Sequence, residues 1–86
     1  MSSSQKLEGL ENQKQRIESQ IAGLEKLSNQ CNQDIIAETN SARRTQLNLQ
    51  IDNYSIELNE LYTKLDKIEK NIEKLNVFFN FIKLII

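Results

Sequence analysis

Between Leu47 and Ile86 an apolar side chain returns at alternating steps of four and three residues: Leu47, Ile51, Tyr54, Leu58, Leu61, Leu65, Ile68, Ile72, Leu75, Phe79, Ile82 and Ile86. None of these rungs is charged. The spacing is the a/d seam of a heptad repeat, carried for more than five heptads. Ile51, Leu58, Leu65, Ile72, Phe79 and Ile86 take position a, and Leu47, Tyr54, Leu61, Ile68, Leu75 and Ile82 take position d. Such a stripe commits this half of the chain to a helix with its apolar edge against another helix. The rest of the composition agrees. The 86 residues contain no Pro and only two Gly, Gly9 and Gly23. The tight turns of a sheet protein call for Gly, Pro or Asp-Gly pairs. The expected fold class is therefore all-α.

A second, weaker ladder runs through the first half: Leu7, Leu10, Lys14, Ile17, Ile21, Leu24, Ser28, Cys31 and Ile35. Lys14 and Ser28 are polar rungs, which cost stability but can select register and partner number. The two ladders do not share a frame. Extended toward each other they disagree by two residues, and between Ile36 and Leu47 only Ala42 offers an apolar rung. That gap holds Thr39-Asn40-Ser41, residues that stop one helix and cap the next. Asn40 also tolerates the left-handed geometry of a helix end. The break predicts an antiparallel coiled-coil hairpin. Residues 1–4 are expected to be a disordered start, 5–38 helix 1, 39–41 the turn, 42–76 helix 2 and 77–86 an apolar helical tail. Folding at Asn40 is expected to set Ile35 near Leu47, Leu24 near Tyr54 or Leu58, Ile17 near Leu61 and Leu7 near Ile72. The competing arrangement is one continuous helix with a frame skip, in a parallel rod-like dimer.

Little in the chain can do covalent chemistry. There is no His, and one Cys cannot close an internal disulfide or a zinc cluster. Cys31 occupies a d rung with no Lys or Arg within four residues to activate it, so it reads as a small buried hydrophobe. The carboxylates of helix 2 alternate with lysines, and Glu60 with Lys64 and Asp66 with Lys70 have the favourable i, i+4 order of a solvated face. No catalytic, cofactor-binding or metal-binding residue is predicted, and the chain reads as a non-enzyme. Eleven basic residues against twelve acidic leave no block of charge for nucleic acid. The strongest apolar stretch, 77–86, is interrupted by Asn80 and Lys83 and is half the length a spanning helix needs, roughly 20 residues. No secretory signal is visible at the start, so a cytoplasmic location is the default expectation.

Some apolar residues fall off both ladders. Leu49 and Ile56 sit seven residues apart at position f, opposite the seam, and Leu27 and Ile36 are off the first ladder. The tail is apolar on every helical face and contains all three Phe. A two-helix hairpin alone buries little core. Leu49, Ile56, Phe78, Phe79, Phe81, Ile82, Ile85 and Ile86 are accordingly the expected interaction residues. They imply a homodimer that pairs two hairpins into a four-helix bundle, or docking of the tail on another helical or effector protein. Membrane-surface attachment through the tail is the less favoured alternative, because such a helix should carry a basic face and this one has only Lys83.

The tip sequence Ile35-Ile36-Ala37-Glu38-Thr39-Asn40-Ser41-Ala42-Arg43-Arg44-Thr45-Gln46-Leu47-Asn48-Leu49-Gln50-Ile51 resembles a recurrent bacterial pattern. In that pattern a first helix ends in Glu-Thr-Asp-Pro, a basic residue and a Leu follow, and a Gln-Ile pair opens the second helix. Asn40 and Ser41 stand where the pattern has Asp and Pro. The chain is similar here to the helical-hairpin, effector-associated modules of bacterial conflict and signalling proteins, frequent in cyanobacteria. The resemblance implies a helical hairpin acting as an adaptor beside NTPase switches or TIR-like and caspase-like effectors.

Overall fold

Ser2 opens the first helix through a reciprocal cap. The Gln5 backbone N–H donates to Ser2 Oγ at 3.2 Å, and the Ser2 backbone N–H donates to Gln5 Oε1 at 3.0 Å. This capping box satisfies two of the N–H groups that a helix start leaves unpaired. In the computed structural model, which describes residues 2–86, helix α1 therefore runs over Ser3–Ala37 and helix α2 over Ser41–Ile85. The start expected to be disordered, residues 1–4, has Met1 outside the described residues, while Ser3 and Ser4 are helical. The stretch 77–86, expected as a separate tail, continues α2 without a break as far as Ile85.

The chain reverses over Glu38, Thr39 and Asn40. Asn40 caps α2, its Oδ1 accepting from the Arg43 N–H at 3.0 Å. Its own N–H donates to Glu38 Oε1 at 3.0 Å, and the Glu38 N–H closes α1 on the Ile35 carbonyl at 3.2 Å. The left-handed geometry available to Asn40 is not used. Glu38 (φ −85°, ψ 127°) and Asn40 (φ −78°, ψ 120°) are both extended, and no residue among those described has a positive φ. An extended Ncap is the ordinary conformation for a residue whose side chain reaches forward to N3. The cap thus replaces a left-handed helix end, and the chain turns back instead of continuing as a rod.

The two helices lie antiparallel along each other in a body 68 × 18 × 14 Å. Besides the apolar seam, three polar side-chain contacts among the described residues cross from one helix to the other. Cys31 Sγ lies 3.4 Å from Gln50 Oε1, the Tyr62 hydroxyl donates to Glu25, and Lys14 Nζ pairs with Glu69 at 3.7 Å. They agree with a register that starts with Ile35 opposite Leu47 and steps rung by rung along both ladders. In that register Cys31 meets Ile51, Leu24 meets Leu58 and Leu7 meets Leu75. The expected pairing of Ile17 with Leu61 slips by a turn or more: Ile17 shares a groove with Lys64, Lys67 and Ile68, and Leu24 shares one with Leu61. Leu10 likewise faces the groove beside Leu75. The slip follows from alternation. Each a rung must face a d rung across an antiparallel seam, so three- and four-residue steps advance together on both helices.

Every rung of both ladders is buried or half-buried except Ile86, which is 98% exposed. Among the described residues only Ile21, Cys31 and Leu47 are buried, and none is wholly removed from water. Lys14 keeps its charge at the edge of the seam on Glu69, as its long stem allows. Of the expected pairs along helix 2, Asp66 and Lys70 join at 2.9 Å, while Glu60 and Lys64 do not. Helix α2 has 45 residues against 35 in α1, about 15 Å more helix at 1.5 Å per residue. The last turns of α2 consequently run past the start of α1, which is why the final rung has nothing to cover it.

Candidate interaction surfaces

One seam cannot hide this chain from water. The accessible surface is 6680 Å², whereas a globular protein of 10.0 kDa exposes about 5,200 Å². The radius of gyration is 19.5 Å, against about 12 Å for a compact chain of this length. The large apolar side chains that stay exposed lie mostly on α2, Leu27 and Ile36 being on α1.

Near the loop, Leu49 and Ile56 are 59% and 57% exposed. They lie on the outer face of α2, because position f is diametrically opposite the seam that packs on α1. On α1, Ile36 and Leu27 are also exposed. At the far end of α2, Val77, Phe78, Phe81, Leu84, Ile85 and Ile86 are all exposed. Phe79 and Ile82 belong to the seam and are half-buried, so they differ from the other predicted interaction residues of the tail. The Phe78 and Phe79 rings lie 6.2 Å apart in a tilted arrangement, within the range of aromatic pairs.

The predicted interaction residues therefore form two patches and not one. Ile56 and Val77 are separated by about 32 Å of helix, at 1.5 Å per residue. Within one copy the loop-end patch and the tail patch never meet. Two residues of this surface, Val77 and Leu84, escape notice when the tail is read as uniformly apolar. Stepping by sevens from Leu49 finds them, through Ile56, Thr63, Lys70, Val77 and Leu84. This outer stripe is apolar at both ends and polar in the middle. Thr63 donates its hydroxyl to the Asn59 carbonyl at 2.9 Å, and Lys70 is held by Asp66. The Asp66 carboxylate, by its hydrogen bond and its charge, keeps the Lys70 ammonium protonated to higher pH than a free lysine.

On the flank of the seam, Tyr62 is 45% exposed, and its hydroxyl donates to Glu25. That hydrogen bond, with the nearby negative charge, raises the Tyr62 pKa above its ordinary value. The contact ties the two helices at mid-length. Among the described residues no three His, Cys, Asp or Glu side chains converge as a metal site would, and no helix is long and apolar enough to cross a membrane. The most chemically distinctive surface of the molecule is thus the exposed apolar side of α2. No family model, curated protein or solved structure matches the chain.

Proposed function

We propose that the chain is a non-catalytic protein–protein interaction module that self-associates, two hairpins forming a homodimeric four-helix bundle. The observation that carries this reading is the apolar surface left on α2, with Leu49, Ile56, Phe78, Phe81, Ile85 and Ile86 all roughly half exposed or more. Apolar patches left in water in this way normally mark interfaces. The thin body supports the same reading. Two helices bury only one stripe each, while ordering 86 residues costs on the order of 100 kcal/mol of conformational entropy. In a pair of hairpins each chain buries a further stripe with no further residues of its own to order.

The likeness of the Glu38–Ile51 tip to effector-associated hairpins supports an adaptor role in a bacterial conflict or signalling system. In such a role the module brings copies of itself, or a helical effector partner, into proximity. The near-neutral charge supports a protein partner over nucleic acid.

Sedimentation equilibrium of the intact chain tests the reading, beside the double variant Leu49→Glu, Ile56→Glu and a chain ending at Asn76. The expected result is a mass near twice 10.0 kDa for the intact chain and a shift toward monomer in the variants. Stable helical monomers in all three would refute it.

A further inference from the structure

We infer that the hairpin carries a second self-contact: copies stack broad side on broad side, pointing the same way, the basic side of each on the acidic side of the next. The contact uses other residues than the homodimer proposed above and does not rest on it. Its starting point is the way the seam divides the charges. Around each helix, positions c and g flank d, and positions b and e flank a. A groove runs along the side where the d rungs emerge. It is floored by Leu10, Ile17, Leu24, Leu61, Ile68 and Leu75 and rimmed by c and g residues of both helices. The Tyr62–Glu25 and Lys14–Glu69 contacts mark the other side, where the e residues lie.

Away from the loop, over residues 5–20 of α1 and 64–78 of α2, the two sides carry opposite charge. On the groove side the c and g positions hold Lys6, Arg16, Lys64, Lys67 and Lys74 and no acid. On the other side the b and e positions hold Glu8, Glu11, Glu18, Asp66, Glu69 and Glu73 and no base. All of these residues are exposed. Among the described residues the ion pairs are Lys14–Glu69 and Lys70–Asp66, so the cations of the groove side meet no carboxylate of their own chain. The near-neutral net charge conceals this division, because it sums both sides.

One copy set on the next by a shift across the thin dimension brings α1 over α1 and α2 over α2 at the same height. Every groove-side cation in this stretch then meets a carboxylate within two residues, about 3 Å, along the helix. Lys6 meets Glu8 of the next copy, Arg16 meets Glu18, Lys64 meets Asp66, Lys67 meets Asp66 and Glu69, and Lys74 meets Glu73. Toward the loop the groove side carries acids instead, Asp34, Glu57 and Glu60. They come level with Asn32, Ser55 and Asn59 of the next copy, so no carboxylate is set on another. Lys14, the one cation edging the acidic side in this stretch, is already held by Glu69.

Charge also selects among the arrangements. Turned end for end, a stack would set Glu57 over Glu25, which lie level in the hairpin's own register, and opposed like charges disfavour that arrangement. A two-fold pairing of broad sides sets basic on basic or acidic on acidic. A polyanion would match the basic side alone, whereas a second copy matches both. A contact between unlike sides of identical chains is heterologous and, with a shift in place of a closing rotation, open-ended. Exposed ion pairs are individually weak, so the stack grows as concentration rises and salt falls.

Charge reversal tests the stack. One full-length variant carries Lys6→Glu, Arg16→Glu and Lys74→Glu, and a second carries Glu8→Lys, Glu18→Lys and Glu73→Lys. All six residues are exposed, and none belongs to the seam or to either ion pair. Circular dichroism checks that each variant is helical. Sedimentation equilibrium follows mass against concentration at low salt and at about 1 M salt, where charges are screened beyond about 3 Å. For the unmodified chain at low salt the mass is expected to climb with concentration past twice 10.0 kDa without a plateau. At about 1 M salt that growth is lost. Each variant alone sets like charges on one another and should not grow. In the equimolar mixture the two variants alternate, every introduced carboxylate meets an introduced ammonium, and growth returns. An end-for-end stack offers no such rescue, since the carboxylate introduced at position 16 would then meet Asp66. Growth equal at both salts, growth of either variant alone, or a mixture that fails to grow each overturns the stack. An unmodified chain that never exceeds a dimer at low salt also overturns it and leaves the homodimer standing. Growth at low salt from a chain that is monomeric at about 1 M salt upholds the stack and overturns the homodimer.

Discussion

Leu47 and Leu49 are the same residue type, two positions apart on the same helix, and they face opposite ways. Leu47 is 2% exposed and Leu49 is 59% exposed. Substituting each with Ala separates seam from surface with side-chain chemistry held constant. At position 47 the change removes three buried carbons, worth about 0.8 kcal/mol each in transfer from water. A partly relaxed cavity adds to this, so the cost should be about 3 kcal/mol, inside the usual Leu→Ala range of about 2–5 kcal/mol. That is a large share of the roughly 4–13 kcal/mol expected for a domain of this length. It should lower Tm by about 12–24 °C, at about 4–8 °C per kcal/mol for small domains. At position 49 the residue is already mostly in water, and the change should stay within about 0.5 kcal/mol in a dilute, monomeric sample. Thermal unfolding followed by circular dichroism measures both. Equal shifts for the two variants at low concentration would refute the assignment of Leu47 to the seam and Leu49 to the outer face. As concentration rises, the Leu49 variant should fall further behind the unmodified chain, because dimerisation adds to apparent stability by mass action.

Gly23→Ala should stabilise by about 0.5–1 kcal/mol, since the added methyl meets no atom within 4 Å and the glycine is mid-helix, a gain readable in the urea midpoint. Asn40→Ala should cost about 1 kcal/mol by removing the acceptor for the Arg43 N–H, read in the same denaturation assay. Because Glu25 raises the Tyr62 pKa, the stabilisation from their contact should be fully present below the unfolded tyrosine value near 10 and be lost as pH rises through the higher folded value. Near-ultraviolet absorbance titration should accordingly show Tyr62 ionising at lower pH in a Glu25→Gln variant than in the parent; unchanged titration would refute the contact.

Much of the fold is legible in the residues because the heptad period and the burial pattern are the same fact seen twice. Leu7 through Ile35 and Leu47 through Ile82 are less exposed than the residues around them at nearly every rung, and two polar rungs did not hide the first ladder. The frame break between Ile36 and Leu47 marked where the pattern changes, and the Thr39-Asn40-Ser41 cap chemistry inside it distinguished a reversal from a frame skip in a continuous helix. Finer points needed the three-dimensional contacts. The register was harder to read because a turn position constrains pairing only to within a helical turn, and rung alternation across the seam decides the remainder. The Ser2–Gln5 capping box was legible as Ser-x-x-Gln but lay in a serine-rich start that reads as disorder by composition. The conformation of Asn40 was not legible, because Asn serves equally as an extended Ncap and as a left-handed helix end. For the interaction surface, Leu49 and Ile56 were visible as apolar residues opposite the seam. Val77 and Leu84 were masked by apolar neighbours on every side, and their membership of the same stripe emerged only once α2 proved continuous.

Small-angle X-ray scattering of the intact chain reads mass and length together and so tests the hairpin and its pairing at once. The account predicts a mass near twice 10.0 kDa with a longest dimension close to the 68 Å of one hairpin. A particle of single-chain mass at every concentration would contradict the association. A particle about 130 Å long, the span of 86 residues in one helix, would contradict the hairpin itself.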